Sequence, residues 1–208
     1  MNSEQKSKLK EAVHFLRLQR TEYEGIPDEQ VMHRYHYDMG VIFQTIKPYL
    51  PDYATSFVDI GGGLGGMALL LAQHFGRECK AIVYDRTGDH GSKVGWHTSA
   101  DQFGAYNSLQ LTAEFLEGNQ CENFSIGDAD ADLFPQGPHQ LVISLLSMGF
   151  HYPVETYLKE IYESLAPGGV LICDIRKGTN GFQVAANLFG YSLPCGFYDK
   201  FERVAFRK

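Results

Sequence analysis

Apolar positions along this chain follow two periods, and the switch between them marks out the elements. Over 4–24, Leu9, Val13, Leu16 and Arg20 recur in three- and four-residue steps, with Ala12, Phe15 and Leu18 beside them, which predicts a helix. Gly25-Ile26-Pro27 breaks it. Asp28 then reads as the N-cap of a second helix that runs to about Lys47, ahead of Pro48 and Pro51. Beyond residue 50, short apolar runs alternate with helical spacing. Strands are predicted over 57–60, 79–84, 123–127, 139–147 and 170–175. Helices are predicted from Met67 onward, from an Asn107 cap to about Glu117, and over 154–165, where Val154, Leu158, Ile161 and Leu165 are in phase. The 139–147 run is apolar almost throughout, as expected of a central strand covered by helices on both faces. The tail predicts a helix over 181–189 and a hairpin of 195–200 with 201–207. Strands alternating with helices make an α/β domain with a mostly parallel sheet. The two leading helices predict a cover (1–50) over the crevice of the main unit (51–208).

The organising stretch is Phe57 to Ala68. An apolar strand ends in a turn in which Gly61, Gly62, Gly63, Gly65 and Gly66 surround a single leucine, and a helix follows. Glycine lets the backbone turn sharply and approach a ligand closely, and a helix N-terminus offers free N–H groups. Gly61, Gly63 and Gly66 satisfy the dinucleotide spacing GxGxxG, whereas Asp59, Gly61, Gly63 and Gly65 satisfy DxGxGxG. The acid separates the two. A carboxylate beside a pyrophosphate repels it, but attracts a ligand that bears an ammonium and a sulfonium and no phosphate. Asp85, at the end of the second strand, suits a ribose diol, because one carboxylate can accept from both hydroxyls.

Charge and cysteine usage narrow the class. The 208 residues carry a net charge of -7. This argues against a nucleic-acid backbone binder and fits a small-molecule acceptor. Cys79, Cys121, Cys173 and Cys195 form no CxxC pair, so free thiols in a reducing compartment are expected, not a zinc site. Asp128, Asp130 and Asp132 alternate, but lack the glycine and glutamate of a calcium loop, and no metal is expected. Without a signal-like leader or an 18-residue apolar run, a cytoplasmic monomer or homodimer away from membranes is expected. The long 86–99 segment holds the single tryptophan. Trp96 and His97 there are candidates to wall an adenine or an acceptor. In the second helix, His33-Arg34-Tyr35-His36-Tyr37 forms an aromatic, polar stretch, with His36 a candidate acceptor contact.

The ordered set Asp59-to-Gly65, Asp85, Gly127-Asp128-Ala129 and Leu165-Ala-Pro-Gly-Gly-Val-Leu-Ile172 resembles class I S-adenosylmethionine-dependent methyltransferases over about residues 50–180. The segment from Ser144 to Pro153 resembles their sugar O-methyltransferase branch. The resemblance implies a Rossmann-like fold with a seven-stranded, mostly parallel sheet closed by an antiparallel strand. It also implies S-adenosyl-L-methionine as cofactor and methyl transfer to a hydroxyl of a sugar or natural product. The cofactor contacts it implies are Asp59, Gly61, Gly63, Gly65, Asp85, Asp128 with Ala129 at the adenine, and Ser144. His151, just past the fourth strand, is the candidate general base, with His97, His36 and Asp174 in reserve and Tyr152 at the acceptor. No [DNS]PP[YFW] tetrad follows that strand, and Cys195 lies too near the C-terminus to be the nucleophile of a cytosine methyltransferase. A binding module without turnover and an NAD(P)-dependent oxidoreductase are the alternatives.

Overall fold

The computed structural model describes residues 3–89 and 106–208. Helix α1 (Ser3–Gln19) and helix α2 (Asp28–Ile46) lead into strand β1 (Ser56–Ile60), the glycine turn and helix α3 (Gly66–Phe75). Strand β2 (Lys80–Asp85) follows. Two short strands, β3 (Gly88–Asp89) and β4 (Tyr106–Asn107), pair with each other. Then come α4 (Leu109–Gly118), β5 (Phe124–Asp128), β6 (His139–Ser144), the extended segment β7 (Ser147–Tyr152) and α5 (Leu158–Ser164). Strand β8 (Leu165–Arg176), α6 (Gly181–Phe189), β9 (Ser192–Phe197) and β10 (Phe201–Arg207) complete the chain.

Seven strands form one sheet in the order β5-β2-β1-β6-β8-β10-β9. The first five run parallel, and β10 is antiparallel to both β8 and β9. The strand order reverses at β1, so the C-terminal ends of β1, β2 and β6 open a crevice at the switch point. Helices cover both faces. Ile46, Ala68, Leu71 and Leu116 pack on one side with Leu141 and Ile143, and Ile161, Ala185 and Phe189 pack on the other with Val58, Val142 and Leu171. Double coverage is why β1 and β6 are apolar on both faces. A third cluster joins Val13, Leu16, Val31 and Tyr35 of the leading helices to Leu64 of the glycine turn and Leu111 of α4. Among the described residues no helix is long and apolar enough to cross a membrane, and the four cysteines are free.

The structure departs from the sequence reading in several places, among them β8, which starts at Leu165 and not at 170, and β9, which spans Ser192–Phe197 and not 195–200. Asp28 is the first residue of α2 and not its cap; it pairs with Arg17 at 2.8 Å. Ser108, not Asn107, caps α4 by accepting from the Leu111 N–H. The helix expected over 154–165 begins as a separate 3₁₀ turn, Val154–Thr156, before α5. Residues 147–152, read as the end of the fourth strand and its exit, form β7, redirected after Leu146 at φ +52°.

Candidate active site

The crevice has a volume of about 780 Å³. Its floor is the glycine turn. Gly61 and Gly63 adopt φ +67° and +55°, a left-handed backbone that side chains disfavour. Close approach adds a second constraint, because a Cβ on Gly61 would stand 1.9 Å from the Ser147 Oγ. Gly65, at φ +90°, caps α3 and lies under the floor against Leu116 and Thr112, so its role is to start the helix.

Two carboxylates face the turn. Asp59 is 2% exposed, and its Oδ2 is the one buried side-chain polar atom without a hydrogen-bond partner among the described residues. Burial first, then the neighbouring Asp85 carboxylate, push Asp59 up to about 7, against the lowering effect of the Ala68 backbone N–H. Asp85 accepts from the Gly63 N–H at 2.9 Å, the Arg86 N–H at 2.8 Å and the Asn107 amide at 3.1 Å. Burial still pushes it up to about 6. An unpartnered buried carboxylate oxygen is costly, and a cation placed against it removes that cost.

Asn107 and Thr112, which the sequence placed only at the α4 helix, and Tyr35, from the aromatic, polar stretch of α2, brace this floor. Asn107 is buried and its amide reaches the Gly63 carbonyl at 3.1 Å, while the Thr112 hydroxyl donates to the same carbonyl at 2.7 Å. Tyr35 reaches in from α2, where its hydroxyl accepts the Gly66 N–H at 2.8 Å. Tyr35 and Met39, one helical turn apart, both line the crevice. That i, i+4 spacing is what places the two on one helix face.

Other expected contacts fall elsewhere. Ser144 is fully buried and committed to the fold, donating to the Ile60 carbonyl and accepting from the Met148 N–H. Asp128 does not line the crevice. Its Oδ1 accepts from the Asp130 N–H and caps its own turn. Ala129 does line the wall, but its N–H is taken by the Asp85 carbonyl at 2.9 Å and cannot read a ring edge. Asp130, on the wall, is the acid that presents itself there, ion-paired with Arg86. His36 points away: it is exposed and stacks on Phe115 at 5.8 Å outside the crevice. Asp174 is unsuited to act as a base, because it is fully buried, bidentate with Arg203 at 2.7 and 2.9 Å, and accepts from the Leu146 N–H. Trp96 and His97 lie outside the described residues.

On the other side of the crevice, β7 supplies Phe150, His151 and Tyr152. The Tyr152 hydroxyl stands 3.3 Å from the Ser147 Oγ. His151 is exposed to the crevice, packed edge-on against Phe150, and held below its usual imidazole range by desolvation and then by the Arg176 charge. Such an imidazole is neutral at neutral pH and able to take a proton.

No family model matches the chain. It is 25% identical over 153 residues to the 2-methyl-6-phytyl-1,4-hydroquinone methyltransferase of Synechocystis sp.. That match covers 73% of this chain and 42% of the relative, so the chain spans less than half the length of the curated protein it matches. A methyltransferase from Pyrococcus furiosus superposes with a TM-score of 0.54 at 13% identity, over 81% of this chain and 82% of that one. The 16S rRNA N2 G1207 methyltransferase of T. thermophilus, solved with AdoMet and guanosine, gives 0.56 at 12% identity, over 82% and 42%. The fold is that of class I S-adenosylmethionine-dependent methyltransferases.

Proposed function

We propose that this class I S-adenosylmethionine-dependent methyltransferase methylates a hydroxyl of a small molecule, with His151 as the general base. The observation that carries the cofactor assignment is the buried, unpartnered Oδ2 of Asp59 beside the glycine turn. That oxygen would repel a pyrophosphate, and it fits the ammonium of a phosphate-free nucleoside. Asp85 would take the ribose, Gly61 and Gly63 would let the ligand lie against the backbone, and Ala129 with Asp130 would wall the base. Bound there, S-adenosyl-L-methionine supplies a methyl group already activated on a sulfonium.

The chain's own work is then to bind, orient and move one proton. His151 takes the proton of the acceptor hydroxyl as the new carbon–oxygen bond forms, a role worth about 10² to 10⁴ in rate. Tyr152 and Ser147 border the same space and would orient the hydroxyl. The net charge of -7 supports a small acceptor over a nucleic acid, and the four free cysteines support a cytoplasmic setting. The N-terminal helices would act as cover for the cofactor, since Gln19, Arg20, Tyr35 and Met39 all border the crevice. Calorimetry with S-adenosylhomocysteine beside NAD tests the cofactor, and labelled methyl transfer to a panel of sugars and phenols tests turnover. Binding of NAD in place of S-adenosylhomocysteine would overturn the reading. Binding of the latter with no label accepted by any hydroxyl would leave a binding module.

A further inference from the structure

Among the described residues, three cations, Arg20, Arg86 and Lys200, and four carboxylates, Glu22, Asp59, Asp85 and Asp130, line the crevice. Arg20 pairs with Glu22 at 3.5 Å and Arg86 with Asp130 at 2.7 Å. Asp59 and Asp85 serve the ammonium and the ribose. Lys200 lines the crevice as well, is exposed, and forms no ion pair among the described residues. It sits in the hairpin turn just before β10, at the crevice end of the sheet.

Its place in the strand order separates it from the cofactor's nucleoside. From β1 to β10 the sheet advances through β6 and β8, three steps of about 4.8 Å, or about 14 Å in all. Lys200 therefore stands on the His151 side. Phe201 packs edge-on against Phe150 at 5.6 Å, and the Arg176 guanidinium lies 5.3 Å over the same Phe150 ring. Arg176 and Phe201 are register partners across β8 and β10. Two cations thus flank the aromatic step that leads to His151. The chain as a whole is acidic and repels anions at long range, but that field is screened beyond about 8–10 Å at physiological salt, so local cations decide what binds.

We propose that the acceptor is a hydroxylated small molecule bearing an oxyanion, a carboxylate or a phosphate monoester, and that Lys200 is the specificity-determining residue that binds it. This rests on the methyl-transfer reading and narrows its substrate class. The cofactor's own carboxylate is the other oxyanion that Lys200 could hold, and the test separates the two.

Protein loaded with S-adenosylhomocysteine is titrated with matched pairs: 3,4-dihydroxybenzoate against 3,4-dihydroxybenzamide, glucose 6-phosphate against glucose, and inorganic phosphate alone. Binding is read by calorimetry and thermal shift, so turnover is not required. The charged member of at least one pair is expected to bind at least tenfold tighter. That advantage should vanish in Lys200→Gln, return in Lys200→Arg and shrink as salt rises. Where a compound is methylated, the loss should fall on KM and not on kcat. Equal binding within every pair, or no anion bound at all, overturns the proposal and leaves methyl transfer standing. Weakened S-adenosylhomocysteine binding in Lys200→Gln overturns it by giving Lys200 to the cofactor's carboxylate. Wild-type protein that binds no S-adenosylhomocysteine removes the parent reading, and this one with it.

Discussion

Protonation of the Asp59–Asp85 pair should set both the stability of the free protein and its grip on the cofactor. Asp59 is raised from 3.8 to about 7 by burial and by Asp85. An acid whose folded value lies above its unfolded value holds its proton more tightly in the fold. The Asp59 contribution to the stability of the free protein is therefore fully present below about pH 4 and is lost as pH rises towards 7. For Asp59 alone, the difference corresponds to about 4 kcal/mol. A ligand ammonium against Oδ2 reverses the preference, because it stabilises the charged form. If binding returns Asp59 to an ordinary carboxylate range, affinity at pH 5 should be about 100-fold weaker than at pH 8, with close to one proton released per site near pH 6. Calorimetry with S-adenosylhomocysteine in two buffers of different ionisation heat reads both quantities. Asp59→Asn should make the free protein more stable at pH 8 and weaken cofactor binding at least tenfold. Affinity that stays flat from pH 5 to 8, with no proton exchanged, would mean that Asp59 does not change protonation on binding.

Three further outcomes follow from the geometry. His151→Ala should keep S-adenosylhomocysteine affinity and lower turnover at least tenfold; because the imidazole titrates below its usual range, the wild-type rate should be level above pH 7 and fall only in acid, a limb that steady-state rates would show missing in the variant. Tyr35→Phe leaves the Gly66 N–H without its acceptor, and should cost about 1–3 kcal/mol in urea unfolding together with a loss of cofactor affinity. Arg203→Met strands the buried Asp174 carboxylate, and should lower stability by about 3–5 kcal/mol, an effect that Asp174→Asn in the same chain partly relieves in a double-mutant cycle.

The fold was legible wherever a local rule had no competitor. The apolar runs, the glycine turn and the 181–189 helix each announce themselves within a few residues, whereas the seven-stranded sheet with its antiparallel member was implied only by the family resemblance, and Pro167-Gly168-Gly169, expected as a turn, lies within β8. The carboxylates Asp59 and Asp85 were legible because strand ends are fixed by the same runs. The bracing roles of Asn107 and Thr112 were not. Asn107 looks like a helix cap in sequence, and only tertiary packing turns its amide towards Gly63, 44 residues away. The Gly127-Asp128-Ala129 match singled out Asp128, whereas Asp130, paired with Arg86, is the acid on the wall. The resemblance implied Ser144 as a cofactor contact, and Asp174 stood as a reserve base. Both instead spend their hydrogen bonds on holding the backbone after β6.

The contact between Gly61 and Ser147 has a mechanical corollary. With no gap for even a methyl group, the glycine turn after β1 and the bend that opens β7 are packed directly against each other. The second bend is itself anchored, since Leu146 hangs by its N–H from Asp174, which Arg203 grips while also reaching Thr45 of α2. If cofactor and acceptor bind as proposed, both would therefore rest on one continuous piece of backbone, with no hinge between them.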